Sequence, residues 1–284
     1  MLYIDIDEEG EWFMCNEHLH LIMLGTGHAA VTKYYNTCFL LGENDNYFMV
    51  DAGGGNQVLR ILEEKGIALH QIHDMFLTHA HSDHLLGAVW MVRMIGQFML
   101  MGRYEGNFRI YASEPLLENL KTICRIVLMD KITNFFGNRM ELIALNDGDT
   151  HCILGRKVTF FDIKAKKLLQ YGFEIKEEGI LFCGDEPLEK ELYKKAEGVK
   201  YLMHEAFCMD CESEKFKPHE KHHSTVKDVC EMAEALKIQN IILMHTEDSH
   251  VQDRKQLYIE EGCKFFSGNI FVPEDGETIT YSIS

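Results

Sequence analysis

Short apolar runs of strand length alternate with longer segments of helical spacing along the 284 residues of this chain. Residues 19–24, 38–41 and 47–51 are apolar runs bounded by Gly and Asn and predict strands. Residues 57–65 carry Val58, Ile61 and Leu62 on one helical face and stop at Gly66. A buried strand over 75–78 feeds a long helix from Asp83 to about Arg103, followed by a strand at 108–112. A helix over 115–130 places Pro115 at its first turn, where a missing N–H is harmless. The chain then turns strand-rich, with expected strands at 142–145, 158–163, 173–175 and 180–183. Helix, strand and helix recur at 188–196, 199–204 and 225–236, then a strand at 241–244, a helix at 252–261 and two short tail strands. Strands in both halves with helices interspersed predict an α/β fold of two sheets packed face to face, with helices outside.

Composition narrows the picture. At 46% hydrophobic, with four prolines and no low-complexity stretch, residues 1–284 read as one large domain. The acidic start over residues 1–9 carries no signal-peptide pattern. The longest apolar stretch, 90–102, is interrupted by Arg93 and Gln97 and is too short to span a bilayer, so no membrane partner is expected. Nine cysteines without framework spacing favour reduced thiols and a cytoplasmic setting, and the lone pair Cys208 and Cys211 reads as incidental. Lys and Arg number 28 against 45 acids, a formal charge of −17 that disfavours a large nucleic-acid footprint. The cluster Lys164, Lys166 and Lys167 is either a solvated loop or a local basic patch.

Candidate chemistry concentrates in His79-Ala80-His81-Ser82-Asp83-His84, where three imidazoles and a carboxylate sit in a strand-to-helix loop. Neutral imidazole nitrogens and carboxylate oxygens suit Zn(II), Fe(II) or Mn(II), with zinc foremost. Met75–His79 and Ile241–His245 both end an apolar run in a histidine, suggesting that strand ends from the two halves converge on one site.

The stretch Thr78–His84 resembles the signature of the metallo-β-lactamase superfamily. Leu24-Gly25-Thr26-Gly27, Tyr35–Phe39 and Met49–Gly53 resemble its first strand-turn, next strand and Asp-bearing strand end. Gly184-Asp185, His204-Glu205-Ala206, His223-Ser224-Thr225 and Leu243-Met244-His245 follow in the order of the ribonuclease Z-like subgroup, over about residues 18–272. The resemblance implies a four-layer αββα sandwich and one or two divalent ions, a pair of which would activate a water molecule. It assigns His79 and His81 to a first ion and Asp83, His84 and His245 to a second, with Asp185 bridging. Asp185 follows an apolar strand, and its two oxygens can serve two cations. By the same resemblance His223 is the general acid and Glu205 orients it, a role typically worth ~10²–10⁴-fold; Asp83 counts with the catalytic groups as well as the ligands. His222 competes with His223 but is out of register with His-Ser-Thr, while Ser224 and Thr225 also read as helix N-caps. Asp51 has either a structural role or one in supporting the histidine loop by hydrogen bonding.

The sequence departs from the subgroup at two places. No histidine occurs between His151 and His204, where a further metal-ligating His is expected, and alignment puts Lys164 there. An ammonium at that position would repel a cation, with Asp162 to neutralise it or substitute as ligand. The Gly/Pro-rich arm of transfer-RNA-processing members is also missing, since only residues 165–184 separate Lys164 from Asp185. A di-iron oxygen-reducing member would carry Glu at His81, and lactam-cleaving members Cys at Asp185; a thioester hydrolase stays open, although the His223 and Glu205 pair favours an alkoxide leaving group. The expectation is a metal-dependent hydrolase of a phosphodiester or related small ester. Its substrate would be a small molecule or short oligonucleotide rather than transfer RNA, and the chain would be a candidate homodimer. The alternative is a non-catalytic or sensory protein with an incomplete metal site.

Overall fold

The computed structural model describes residues 4–6, 12–14 and 19–281; most of the acidic start falls outside them. The short strands β1 (Ile4–Ile6) and β2 (Trp12–Met14) pair with each other. The strands that follow are β3 (His20–Gly25), β4 (Cys38–Glu43), β5 (Asn46–Val50), β6 (Ile72–Phe76), β7 (Phe108–Ala112) and β8 (Met140–Ala144). With β16 (Thr278–Thr280) they form a seven-stranded sheet in the order β16-β3-β4-β5-β6-β7-β8. A second seven-stranded sheet holds β9 (Thr150–Ile153), β10 (Arg156–Asp162), β11 (Tyr171–Ile175), β12 (Ile180–Phe182), β13 (Tyr201–Glu205), β14 (Asn240–Met244) and β15 (Asn269–Phe271).

Each sheet is antiparallel on one side and parallel on the other. The change falls at β5 in the first sheet and at β12 in the second. Parallel strands need crossovers, and helices supply several of them: α1 (Gln57–Glu64), α2 (Ser82–Leu100), α3 (Glu114–Val127) and α4 (Asp130–Thr133) in the first half, α5 (Tyr193–Ala196), α6 (Ser213–Phe216), α7 (Val226–Ala235) and α8 (Arg254–Gly262) in the second.

Burial on both faces explains why the strands read as continuous apolar runs. Along β4, Cys38 and Leu40 face the helices while Phe39 and Leu41 face the opposite sheet. Along β14, Ile241 and Leu243 face helices, and Ile242 and Met244 the other sheet. The inter-sheet core centres on Phe39, Phe48, Phe76, Phe160, Phe173 and Phe182, each contributing about 1.5–3 kcal/mol by leaving water. The result is the four-layer αββα sandwich. Among the described residues no helix is long and apolar enough to cross a membrane.

Two expected helices differ, and short polar elements appear that were not expected. The helix expected over 188–196 is a 3₁₀ turn, Lys190–Leu192, followed by the four-residue α5. The helix expected over 115–130 breaks at Leu128, whose backbone is extended, and resumes as α4. The edge strand β9 is additional; its residues Thr150 and Cys152 face solvent, so it lacks an apolar run.

Candidate metal centre

The carboxyl ends of β5, β6, β12, β13 and β14 meet at one rim of the sandwich, and nearly all the predicted site residues follow these strands. Asp51 comes just after β5, His79 to His84 after β6, Asp185 after β12, Glu205 ends β13, and His245 follows β14. Asp51 and His245 both take left-handed backbone conformations, with φ of 53° and 58°. Such a conformation is uncommon outside glycine, and Asp and His adopt it more readily than most residues.

Asp51 anchors the histidine loop. Its Oδ1 accepts from Thr78 N at 2.9 Å and its Oδ2 from Thr78 Oγ1 at 2.7 Å. His84 Nδ1 lies 2.7 Å from the same Oδ2, so it donates there and turns Nε2 toward the rim. Gly87 permits this docking, because a Cβ there would lie 1.8 Å from the Ala52 carbonyl oxygen.

Asp185 Oδ2 is the point of convergence. It lies 3.4 Å from His79 Nε2, 3.5 Å from His84 Nε2 and 3.6 Å from His245 Nε2. Asp83 Oδ2 is 3.3 Å from His84 Nε2, and His81 Nδ1 is 2.8 Å from His79 Nε2. The ligating atoms of His79, His84 and Asp185 lie within 4.8 Å of one another, as do those of Asp83, His84 and His245.

Electrostatics marks the same place for positive charge. Burial would raise the Asp185 carboxyl, but His79, His84 and His245 hold it well below the usual carboxylate range. Burial lowers His79 to about 4 against the pull of Asp185, and depresses His245 strongly. Burial also opposes protonation of His84, yet Asp51, Asp185 and Asp83 together lift its pKa well above the usual imidazole range. His84 Nε2 is buried without a hydrogen-bond partner. The carboxylates that favour a proton on Nε2 equally favour a divalent cation in its place, with Nε2 then offering its lone pair, so this donor set fits the metal that the fold family uses.

Beside this cluster, His223 Nδ1 stands 3.5 Å from Glu205 Oε2, an ion-pair contact rather than a short hydrogen bond. Burial lowers the His223 pKa, but Glu205 outweighs it and the net shift is upward. Glu205 Oε1 accepts from Ser224 N at 2.6 Å, and Thr225 caps α7 in a reciprocal box with Asp228. The His223 and His245 rings are 5.4 Å apart, whereas His222 is exposed.

Lys164 is not in the site. Its φ of +62° ends the run of β10, and its side chain pairs with Asp162 at 3.0 Å on the solvent side. Asp162 is thereby also removed as a substitute ligand. Behind the cluster lies Gln170, a buried residue that sequence reasoning missed. Its Nε2 lies 2.8 Å from His79 Nδ1 and hydrogen-bonds Asp185 Oδ1, while its Oε1 accepts from Asp185 N at 3.2 Å. Gly184 (φ 73°) makes room, since a Cβ there would meet Gln170 Oε1.

Above the cluster lies a cleft of about 420 Å³, lined also by His28, Lys167, Phe207 and Lys221. Phe207 packs against His28 at 4.5 Å and stacks on His223 at 5.1 Å. Lys167 donates to the Lys221 carbonyl at 2.6 Å. Of these, only Lys167 had a signal in the sequence, as part of its basic cluster.

Fold and site together define a metal-dependent hydrolase of the metallo-β-lactamase superfamily, in its ribonuclease Z-like branch. The chain belongs to the anti-Pycsar protein Apyc1 family, whose family model matches residues 19–265. It is 26% identical to a ribonuclease Z of Pyrobaculum neutrophilum over 92% of this chain and 98% of that one. Among solved structures, the metallo-β-lactamase fold protein YhfI from Bacillus subtilis superposes with a TM-score of 0.74 at 16% identity, covering 93% of this chain and 99% of that one. A diphosphatase of the PhnP family superposes at 0.70 with 17% identity, covering 93% and 97%.

Proposed function

We propose that this protein hydrolyses a small phosphodiester, with residues 1–284 acting as one domain. The observation that carries the reading is the placement of the His223–Glu205 pair beside a metal-ligand cluster centred on Asp185 Oδ2. His79, His81 and Asp185 would hold one divalent ion, and Asp83, His84, Asp185 and His245 another. The nitrogen-rich donors favour zinc over manganese or iron. When bound, such ions polarise a phosphoryl oxygen and lower the pKa of a nearby water. His223 would keep its Nδ1 toward Glu205 and deliver a proton from Nε2 to the leaving oxygen. Lys167 and Lys221 would draw the phosphate to the cleft, and Phe207 would offer an apolar face to the group attached to it.

Size and charge favour a small substrate. The cleft holds about 420 Å³, residues 165–184 are too few for an RNA-gripping arm, and the net charge is −17. Transfer RNA is therefore a poor candidate. The non-catalytic alternative draws on the ligand expected near Lys164, since Lys164 turns out to Asp162 and Gln170 reaches only the far sides of His79 and Asp185.

The test is turnover of a phosphodiester and thioester panel by protein purified without chelators. His223→Ala should lower phosphodiester turnover by ~10²–10⁴-fold with metal content unchanged. Equal loss of turnover and metal would make His223 a ligand or structural residue, and no turnover on any substrate would favour the sensory reading.

A further inference from the structure

A second group of metal-ligating side chains lies behind Phe207, away from the cleft. Glu247 is 3% exposed and sits in the turn after His245. Its Oε2 accepts from Ser249 N at 2.6 Å, but its Oε1 is buried with no hydrogen-bond partner. The ligating atoms of Glu212, Glu247 and His250 lie within 4.8 Å of one another. His250 Nε2 is 3.0 Å from Glu212 Oε2, and the other Glu212 oxygen is 3.2 Å from Lys215 Nζ. A buried carboxylate oxygen without a partner is strongly unfavourable, and a bound cation removes the penalty.

We propose that Glu212, Glu247 and His250 form a separate binding site for a divalent transition-metal cation, with zinc(II) or manganese(II) as its occupant. Two carboxylates and one imidazole suit these ions, and the partial exposure of Glu212 and His250 leaves coordination positions for water. Lys215 neutralises one of the two acids, so a divalent ion leaves the group with a small positive excess.

The position gives the ion a structural role. Glu212 ends the 3₁₀ turn Asp210–Glu212 that precedes α6, while Glu247 and His250 belong to the turn between β14 and α8. Glu247 N also donates to the Phe207 carbonyl at 2.8 Å. A cation here ties together two segments that otherwise meet through a few polar contacts, and it backs the wall on which His223 stacks.

The experiment uses the full chain and zinc(II) alone as probe. Metal per chain is counted after dialysis against zinc, and anomalous scattering at the zinc edge locates each ion. His250→Ala and Glu212→Gln should each lower the count by one, and the peak between residues 212, 247 and 250 should vanish. His84→Ala should keep that peak while losing metal at the strand ends, so failure here is distinct from failure of the hydrolase reading. In the His84→Ala background, zinc should raise the melting temperature, and adding His250→Ala should abolish the rise. An unchanged zinc count in both His250→Ala and Glu212→Gln, with no peak at this position in the unmodified protein, would overturn the proposal. Both variants alter half-buried or rim residues, so the result does not hinge on replacing the buried Glu247.

Discussion

Asp185 reaches three histidines through one oxygen, and its other oxygen is held by Gln170. The same Gln170 amide touches His79 on the nitrogen facing away from the cluster, so a single side chain sets the orientation of two candidate ligands. Gln170→Ala should therefore weaken metal binding by about 10–100-fold while the fold persists, as loss of an outer-shell partner does; zinc titration with a competing chelator reads this directly. Unaltered affinity would mean that Asp185 and His79 are oriented without it. The contiguous residues His79 to His84 were legible because their spacing is local. Gln170 was not, because it meets His79 from 91 residues away and its neighbours Leu169 and Tyr171 carry no motif. Lys164 was misplaced because counting along an extended strand misses a left-handed residue, which turns its side chain out to Asp162.

Strands were the easier elements to read. Both faces of β4, β11 and β14 are buried, so each shows as an uninterrupted or nearly uninterrupted apolar run. Polar short elements such as the edge strand β9 and the four-residue α6 have no such run and went unread. Register and sheet order lie beyond the pattern of single strands, since they depend on which runs meet in space. Phe173 on β11 shows how the packing works: its ring lies 5.8 Å from Phe48, 6.1 Å from Phe76 and 5.3 Å from Phe182, bridging the two sheets. Phe173→Ala should cost about 3–5 kcal/mol through lost burial and a residual cavity, measured by chemical denaturation. A cost under about 1 kcal/mol would mean that the sheets close over the gap.

At the scale of the whole molecule, the two sheets repeat one plan: an antiparallel half, a switch to parallel pairing, and candidate metal-binding side chains at the carboxyl ends beyond the switch. The matching histidine at the ends of β6 and β14 hinted at this convergence in the sequence, whereas the switch itself emerged only from the pairing. The rim so formed belongs to a chain of net charge −17, yet Lys167 and Lys221 stand at the mouth of its cleft. A small phosphate approaching from solution thus first meets repulsion from the molecule as a whole and feels the two lysines only at close range. Ionic strength separates the two fields, because the screening length contracts from ~30 Å at 0.01 M to ~8 Å at 0.15 M. Added salt should mute the distant repulsion before it reaches the lysines. For an anionic phosphodiester substrate, kcat/KM should therefore climb between about 0.01 and 0.15 M monovalent salt; a steady decline would show that the lysine pair governs the approach from afar. If the climb is observed, encounter with substrate speeds up in salt, the reverse of what cation-lined clefts on basic proteins do.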